Sequence, residues 1–409
     1  MDFEFNDKTK ALLEKVTAFM NQHVYAAEKV HDQQVEASGD KHCFPPIMEE
    51  LKEKARAQGL WNLFLPDSKY GAGLTNLEYA PLCEVMGRSL IAPEIFNCNA
   101  PDTGNMEILA EFGTEEQKAQ WLQPLLDGKI RSAFSMTEPD VAGSDPTLLQ
   151  TRAVREGDEY VINGRKWFSS NASHPNCKIT IAMVVTDPEA PKHMRATQIL
   201  VPLDTPGLTV VRPVAVFNDD GGHGHCEITY ENCRVPVSNV LGGEGEGFAI
   251  AQARLGPGRI HHCMRAIGGA QRALDMMIER ALTRYTHGSH LSDKGIIQEW
   301  IAQSRMEIEQ ARLLVLYTAW KIDRFGKKEA RHEISMIKTV AANMFQTVVD
   351  RAIQTHGALG TTNDVPLAKM WAYARILRLA DGPDEVHNMV IARREVRRMQ
   401  NAQPIPTPN

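Results

Sequence analysis

Long apolar runs are missing from this 409-residue chain, and no window approaches the ~20 residues that a membrane-spanning helix needs. Paired cysteines are missing too. The seven, Cys43, Cys83, Cys98, Cys177, Cys226, Cys233 and Cys263, are scattered, odd in number and form no CxxC pair. That excludes a disulfide scaffold and reads as reduced thiols in a cytoplasmic protein. There is no excess of positive charge: a formal net charge of −6 gives no nucleic-acid footprint. The first residues, MDFEFNDKTK, are acidic and lack a basic stretch followed by an apolar core, so neither a secretory signal nor a transit peptide is expected. No internal repeat recurs at a fixed period. What is present is ordinary for a globular chain: 43% hydrophobic and 23% charged residues, and length enough for two or three packed units.

The period of the apolar residues changes twice. Over residues 1–128 it is helical. Asn6 is a first cap, and Thr114-Glu115-Glu116-Gln117 is a capping box opening a helix to Leu126. Over 129–242 the spacing is that of strands, with turns at Pro206-Gly207 and Asn218 to Gly224 and a hairpin signal at Asn163-Gly164. Over 243–401 long helical faces return, for example Ile267, Ala270, Leu274, Met277 and Ile278. The pattern predicts an α+β multidomain fold: an N-terminal all-α domain, a middle β-barrel or sandwich, and a C-terminal four-helix bundle. The Pro-rich tail, 402–409, is expected to be disordered.

Two stretches carry chemistry. Between Trp371 and Arg397 one helical run ends at Asp381-Gly382-Pro383 and another starts at once. Gly and Pro force the break. Asp381 is then a carboxylate set beside free backbone N–H groups, or a C-terminal cap with Asp384 as the next N-cap. From Ala133 to Asp145 a strand runs into a loop of small residues, Thr137-Glu138-Pro139 and then Ala142-Gly143-Ser144-Asp145. Its backbone donors suit the polar edge of a planar ring; a plain turn capped by Asp145 is the other reading. Three clusters have bland explanations. His223-Gly224-His225-Cys226 has no partner cluster and reads as a loop, so no metal is expected. His261-His262 faces a bound ligand or serves helix packing, and Gly242 to Gly247 lacks GK[ST] and reads as a linker.

Taken together, the motifs resemble the acyl-CoA dehydrogenases. The TEP and AGSD pieces look like that family's flavin-contacting signature. Val161 to Lys166, Cys233 to Pro236, Gly245 to Phe248, Gly269 to Asp275, Arg284 to Gly288 and Gln354 to Gly360 follow in the family's order. The DGPDEVH form around Asp381 is similar to the subfamily of mammalian family members ten and eleven, which has Asp in place of the usual catalytic Glu.

The resemblance implies FAD as cofactor and Asp381 as catalytic base. It implies flavin contacts from Phe134, Met136, Thr137 and Ser144, with Phe168 and Ser170 standing where the family has a Trp-x-Thr. Cofactor contacts to a neighbouring subunit would come from Arg284, Thr286, His287, Gln298, Gln354, Gly357 and Gly360, so a homodimer or homotetramer is implied. Ser144 and Arg259 would lie near the acyl-CoA. Pro383 and Glu385 replace family residues that help hold the cofactor. The implied reaction is α,β-dehydrogenation of an acyl-CoA thioester to the trans-2-enoyl-CoA, as in fatty acid β-oxidation, with electrons passed to an electron-transfer flavoprotein. Within the same fold, an acyl-CoA oxidase or a nitroalkane oxidase-like enzyme would use oxygen instead. A flavin-free scaffold is the alternative of another class, and a colourless protein would support it.

Overall fold

A computed structural model describes residues 4–217 and 224–402. The N-terminal helices are α1 (Asp7–Phe19), α2 (Tyr25–Ser38), α3 (Pro46–Ala57), α4 (Asn76–Gly87), α5 (Ala92–Ile95), α6 (Asp102–Phe112), α7 (Glu115–Gln117) and α8 (Gln123–Leu126). Asn6 Oδ1 accepts from Thr9 N at 2.8 Å, and both bonds of the Thr114–Gln117 capping box form. A π-helical turn, Met20–Val24, carries α1 into α2, which stops only where Gly39 takes φ +69°.

The middle strands are β1 (Arg131–Ser135), β2 (Arg152–Glu156), β3 (Glu159–Ser170), β4 (Cys177–Val185), β5 (Ala196–Pro202), β6 (Leu208–Val214), β7 (His225–Pro236) and β8 (Val240–Leu241). They make one eight-stranded sheet in the order β6-β7-β3-β2-β4-β5-β8, with β1 paired parallel to β4. Its core holds Tyr160, Ile162, Val184, Ile199, Val201, Ile228 and Tyr230. Asn163-Gly164 is not a hairpin turn. It lies inside β3, where the register with β7 shifts, and the β2–β3 turn is made by Gly157 (φ +64°) and Asp158. Gly164 is needed there because a Cβ would press into Thr151. Strand β2, whose burial barely alternates, was hidden from the spacing argument.

The C-terminal helices are α9 (Gly247–Thr283), α10 (Gly295–Phe325), α11 (Arg331–His356), α12 (Leu367–Leu377) and α13 (Asp384–Ala402). Between α9 and α10, β9 (Tyr285–Thr286) and β10 (Ser289–His290) form a two-stranded ladder. Gly243 to Gly247 form a tight link into α9: Gly245 N donates to Thr197 Oγ1 (2.9 Å) and Gln198 Nε2 to the Gly247 carbonyl (3.1 Å). The N-terminal helical, middle sheet and C-terminal helical parts are thus all present.

By packing, the chain divides into two compact units. One comprises the residues up to Met20, Leu74–Pro93 and those from Arg259 on; the other comprises Asn21–Gly73 and Glu94–Gly258. In the first, α4 meets α9 with little clearance: a Cβ at Gly268 would fall on the Glu84 carbonyl, and one at Gly87 on the Arg265 backbone. Such contact brings backbones close and bars larger residues. No described helix is long and apolar enough to cross a membrane. The tail from residue 403 lies outside the described residues, as does most of the turn expected at Asn218 to Gly224.

Candidate active site

Asp381 sits where α12 has ended and α13 has not begun. Its φ is +55°, followed by Gly382 at +99°. Asp is one of the few side-chain-bearing types that tolerate this region. The bend is held from three sides. Arg259 Nε donates to the Asp381 carbonyl at 2.9 Å, and His387 Nε2, 3.3 Å away, donates to the same oxygen. Lys338, almost wholly buried, donates from Nζ to the Leu377 carbonyl at the end of α12. A Cβ on Gly382 would stand 3.0 Å from His387 Nε2, so glycine leaves room for that ring.

The carboxylate of Asp381 faces His262 on α9, with Oδ2 3.3 Å from Nε2. Asp384 does not act as a simple cap. It accepts from Arg378 Nε (2.8 Å) and Asn343 Nδ2 (3.0 Å), tying α13 to α11 and to the end of α12.

Burial pushes the His387 ring down to about 4, with Arg259 and Lys338 adding to the shift. A group whose folded pKa lies below its unfolded 6.5 contributes stability that is complete above 6.5 and lost as pH falls toward 4. Replacing His387 with Gln, which keeps an N–H for the Asp381 carbonyl, is expected to flatten that acid arm. Urea midpoints taken at stepped pH measure it; an arm as steep as the parent's would refute the assignment.

The second group lies in the sheet-bearing unit. Phe134 closes on the end of β1, with the Arg254 guanidinium 4.0 Å from its ring centroid. Met136 and Thr137 follow, half-buried. Their loop is fastened to β3: Trp167 N donates to the Thr137 carbonyl (3.0 Å), and Lys166 Nζ donates to the Met136 carbonyl (2.9 Å) and to Glu138 Oε1 (2.8 Å). Glu138 also accepts from Gln150 N and Thr151 N at 2.7 and 2.9 Å. Burial lowers the Lys166 ammonium to about 8 against the pull of Glu138.

Phe168 takes φ +54° and is 42% exposed, with Trp167 and His225 rings beside it. Ser170 Oγ lies 2.8 Å from His225 Nδ1. Ser144 is exposed in the loop. His223 of the His-Gly-His cluster lies outside the described residues, and His225 is engaged by Ser170. Among the described residues, no group of three or more His, Cys, Asp or Glu side chains is placed to hold a metal ion.

This donor set fits a flavin. A large aromatic face is held open at a strained backbone position, Ser170 follows two residues on in the same strand, and the Trp167 N–H fastens the Thr137 loop to that strand.

Beneath this patch lies a clamp that sequence reasoning missed. Asp102 Oδ1 accepts from Ser132 N (2.7 Å) and Ser132 Oγ (2.5 Å), and Oδ2 from Asn171 Nδ2 (3.1 Å), with Arg131 Nε 3.0 Å away as its ion-pair partner. One carboxylate thus holds the start of β1 and the residue after Ser170. Its signal in the sequence is weak: an Asp at the head of an apolar helix reads as a cap. Lys166 and Glu138 stood only as parts of motifs and His262 only as one of a histidine pair, because pairing across the fold is what gives each its partner.

A third group is the Arg284–His287 hairpin. Arg284 and His287 are exposed and Thr286 half-buried, and His287 takes φ +47°. Leu291 N donates to the Arg284 carbonyl (2.9 Å), Lys294 Nζ to that of His287 (3.2 Å), and Gln298 Nε2 to that of Ser292 (3.0 Å), so Gln298 belongs with the hairpin. Leu282, Tyr285 and Ile296 beside it are more than half exposed. Gln354 and Gly357 are exposed and Gly360 is buried, at the end of α11 and in the turn that follows.

Three family models match in succession: acyl-CoA dehydrogenase N-terminal domain over residues 6–129, middle domain over 133–233 and C-terminal domain over 245–396. A Mycobacterium tuberculosis protein assigned as an acyl-CoA dehydrogenase, FadE2, is 56% identical over 97% of this chain and 98% of its own length. Mouse acyl-CoA dehydrogenase family member 10 is 53% identical over 96% of this chain, which spans only 37% of that longer protein. A solved Mycobacterium abscessus structure, also assigned as an acyl-CoA dehydrogenase, superimposes with a TM-score of 0.94 at 50% identity, covering 97% of this chain and all of that one.

Proposed function

The chain belongs to the acyl-CoA dehydrogenase family, FAD-binding oxidoreductases of the CH–CH group, and from that premise we propose that it oxidises an acyl-CoA thioester to the trans-2-enoyl-CoA. The observation that carries this reading is Asp381: a carboxylate presented on a left-handed bend, with its backbone carbonyl held by Arg259 and His387. The α-proton of a thioester is weakly acidic, and a fixed carboxylate nearby removes it as general base. Bound FAD supplies the acceptor for the β-hydrogen, which leaves as hydride. Phe134, Met136, Thr137 and Ser144, on one strand and the loop after it, would line its ring, Phe168 would cover it, and Ser170 would bond its edge. On the same reading Ser144 and Arg259 would each contact the acyl-CoA.

Arg284, Thr286, His287 and Gln298, with Gln354, Gly357 and Gly360, serve the cofactor of a second copy. That requires at least a dimer, and the exposed apolar residues beside the hairpin agree with a covered face. Electrons pass to an electron-transfer flavoprotein, in the cytoplasm. Domain limits near residues 128 and 242 accompany this reading.

Anaerobic titration of the purified protein with a panel of acyl-CoAs tests it. The flavin spectrum is expected to bleach with one chain-length class, and bleached enzyme to reduce an electron-transfer flavoprotein faster than oxygen. A flavin spectrum unchanged by every thioester would overturn the dehydrogenase reading.

A further inference from the structure

His262 is absorbed by none of the roles above. It lies on α9, half-buried, three residues after Arg259. Its Nε2 is 3.3 Å from Asp381 Oδ2. On the other side of the ring, Nδ1 meets Arg265 NH2 at 3.1 Å and the Tyr373 hydroxyl at 3.4 Å. These partners decide the tautomer. A guanidinium carries only donors, so Nδ1 must accept. In a neutral imidazole the proton then sits on Nε2, and it points at the carboxylate. We propose that His262, neutral with its proton on Nε2, is the positioning residue that orients the Asp381 carboxylate for proton abstraction. This rests on the reading of Asp381 as the base.

The surroundings agree. The charged and titratable groups facing this pair are Arg259, His261, Cys263 and Arg265 on α9, Lys338 on α11, Tyr373 on α12 and His387 on α13. Burial, then Arg265 and Lys338, press His262 toward its neutral form, while Asp381 alone pulls the other way. The chain of contacts runs Arg265, His262, Asp381, and each link is a donor meeting an acceptor. A neutral donor on the carboxylate favours its ionised form and fixes its plane. The backbone is pinned separately by Arg259 and His387, so side chain and main chain of Asp381 have independent restraints.

Two variants separate positioning from packing. His262→Gln places an amide N–H near the Nε2 position; His262→Leu fills the space without a donor. With an acyl-CoA that reduces the parent, His262→Leu is expected to move the acidic limb of the kcat/KM profile up by about one pH unit. Its kcat should fall about tenfold while KM changes less than about twofold. His262→Gln should keep the parent limb. A Leu profile that superimposes on the parent, or equal shifts in Gln and Leu, overturns the proposal.

Ring nitrogen NMR on histidine-labelled holoenzyme gives a readout independent of turnover. The resonance lost in His262→Gln is expected to show a neutral ring protonated on Nε2, and to move in Asp381→Asn. A charged ring, or one protonated on Nδ1, overturns the proposal even if the enzyme is active. If no thioester reduces the parent, the dehydrogenase reading falls, and the NMR result alone decides whether His262 orients Asp381.

Discussion

Asp381→Asn is expected to lower the rate of flavin bleaching by acyl-CoA on the order of 10³-fold, the size of a lost general base. The amide is close to isosteric. Asn, like Asp, tolerates the left-handed region, so the +55° bend survives. Arg259 and His387 bond the backbone carbonyl, which the substitution leaves in place. Folding, flavin content and thioester affinity should therefore change little, and the loss should fall on the chemical step. Asp381→Glu restores a carboxylate one methylene further out, on a residue type that fits the bend less well, and should recover only part of the rate. Stopped-flow reduction with a saturating thioester makes the measurement. An Asn variant within tenfold of the parent would mean that another group takes the proton.

The largest stability effect is expected at Asp102. Four charged side chains are buried together: Lys52, Glu94, Asp102 and Arg131. Lys52 Nζ is 3.1 Å from Glu94 Oε1, Arg131 lies 3.0 Å from Asp102 and 3.6 Å from Glu94, and Arg131 is 2% exposed. The charges balance in pairs. Burial opposes the Arg131 charge, and Asp102 and Glu94 outweigh it. Asp102→Ala leaves that guanidinium only Glu94, takes the acceptor from Ser132 N, and leaves Asn171 Nδ2 only the Ser132 carbonyl.

Breaking a buried pair from one side costs about 3–5 kcal/mol, which lowers a melting midpoint by roughly 5 °C for a chain of 409 residues. Because the same carboxylate joins β1 to the end of β3, flavin affinity should fall with it. The double variant Asp102→Asn with Arg131→Met removes one charge of each sign and keeps Lys52 paired to Glu94. It should regain much of the loss. Melting curves followed by far-UV circular dichroism test both, and a single variant as stable as the parent would show that the pair contributes nothing.

The order of structure along the chain was legible because it depends on local period. Asn6 and Thr114 capped helices where their side chains could reach a free N–H three residues on. The break at Asp381-Gly382-Pro383 was legible for the same reason, since backbone chemistry within three residues forces it. The motif order resembling the family grouped Phe134, Thr137, Phe168 and Ser170 as flavin contacts before any coordinates. Asn163-Gly164 misled because a turn dipeptide also serves a bulge, and the contact with Thr151 that makes it one comes from outside the local stretch. Sequence by itself determined most of the helices, the three-part order and the helix break that presents Asp381, all of which follow from residues near one another in the chain. Tertiary structure alone decided which ring faces the Asp381 carboxylate, which lysine fastens the Thr137 loop and which carboxylate clamps two strands. His262 and Asp381 are 119 positions apart, and Asp102 and Asn171 are 69 apart. No local pattern encodes such pairs, because a charge or hydrogen bond acts on whatever folding brings within about 3 Å.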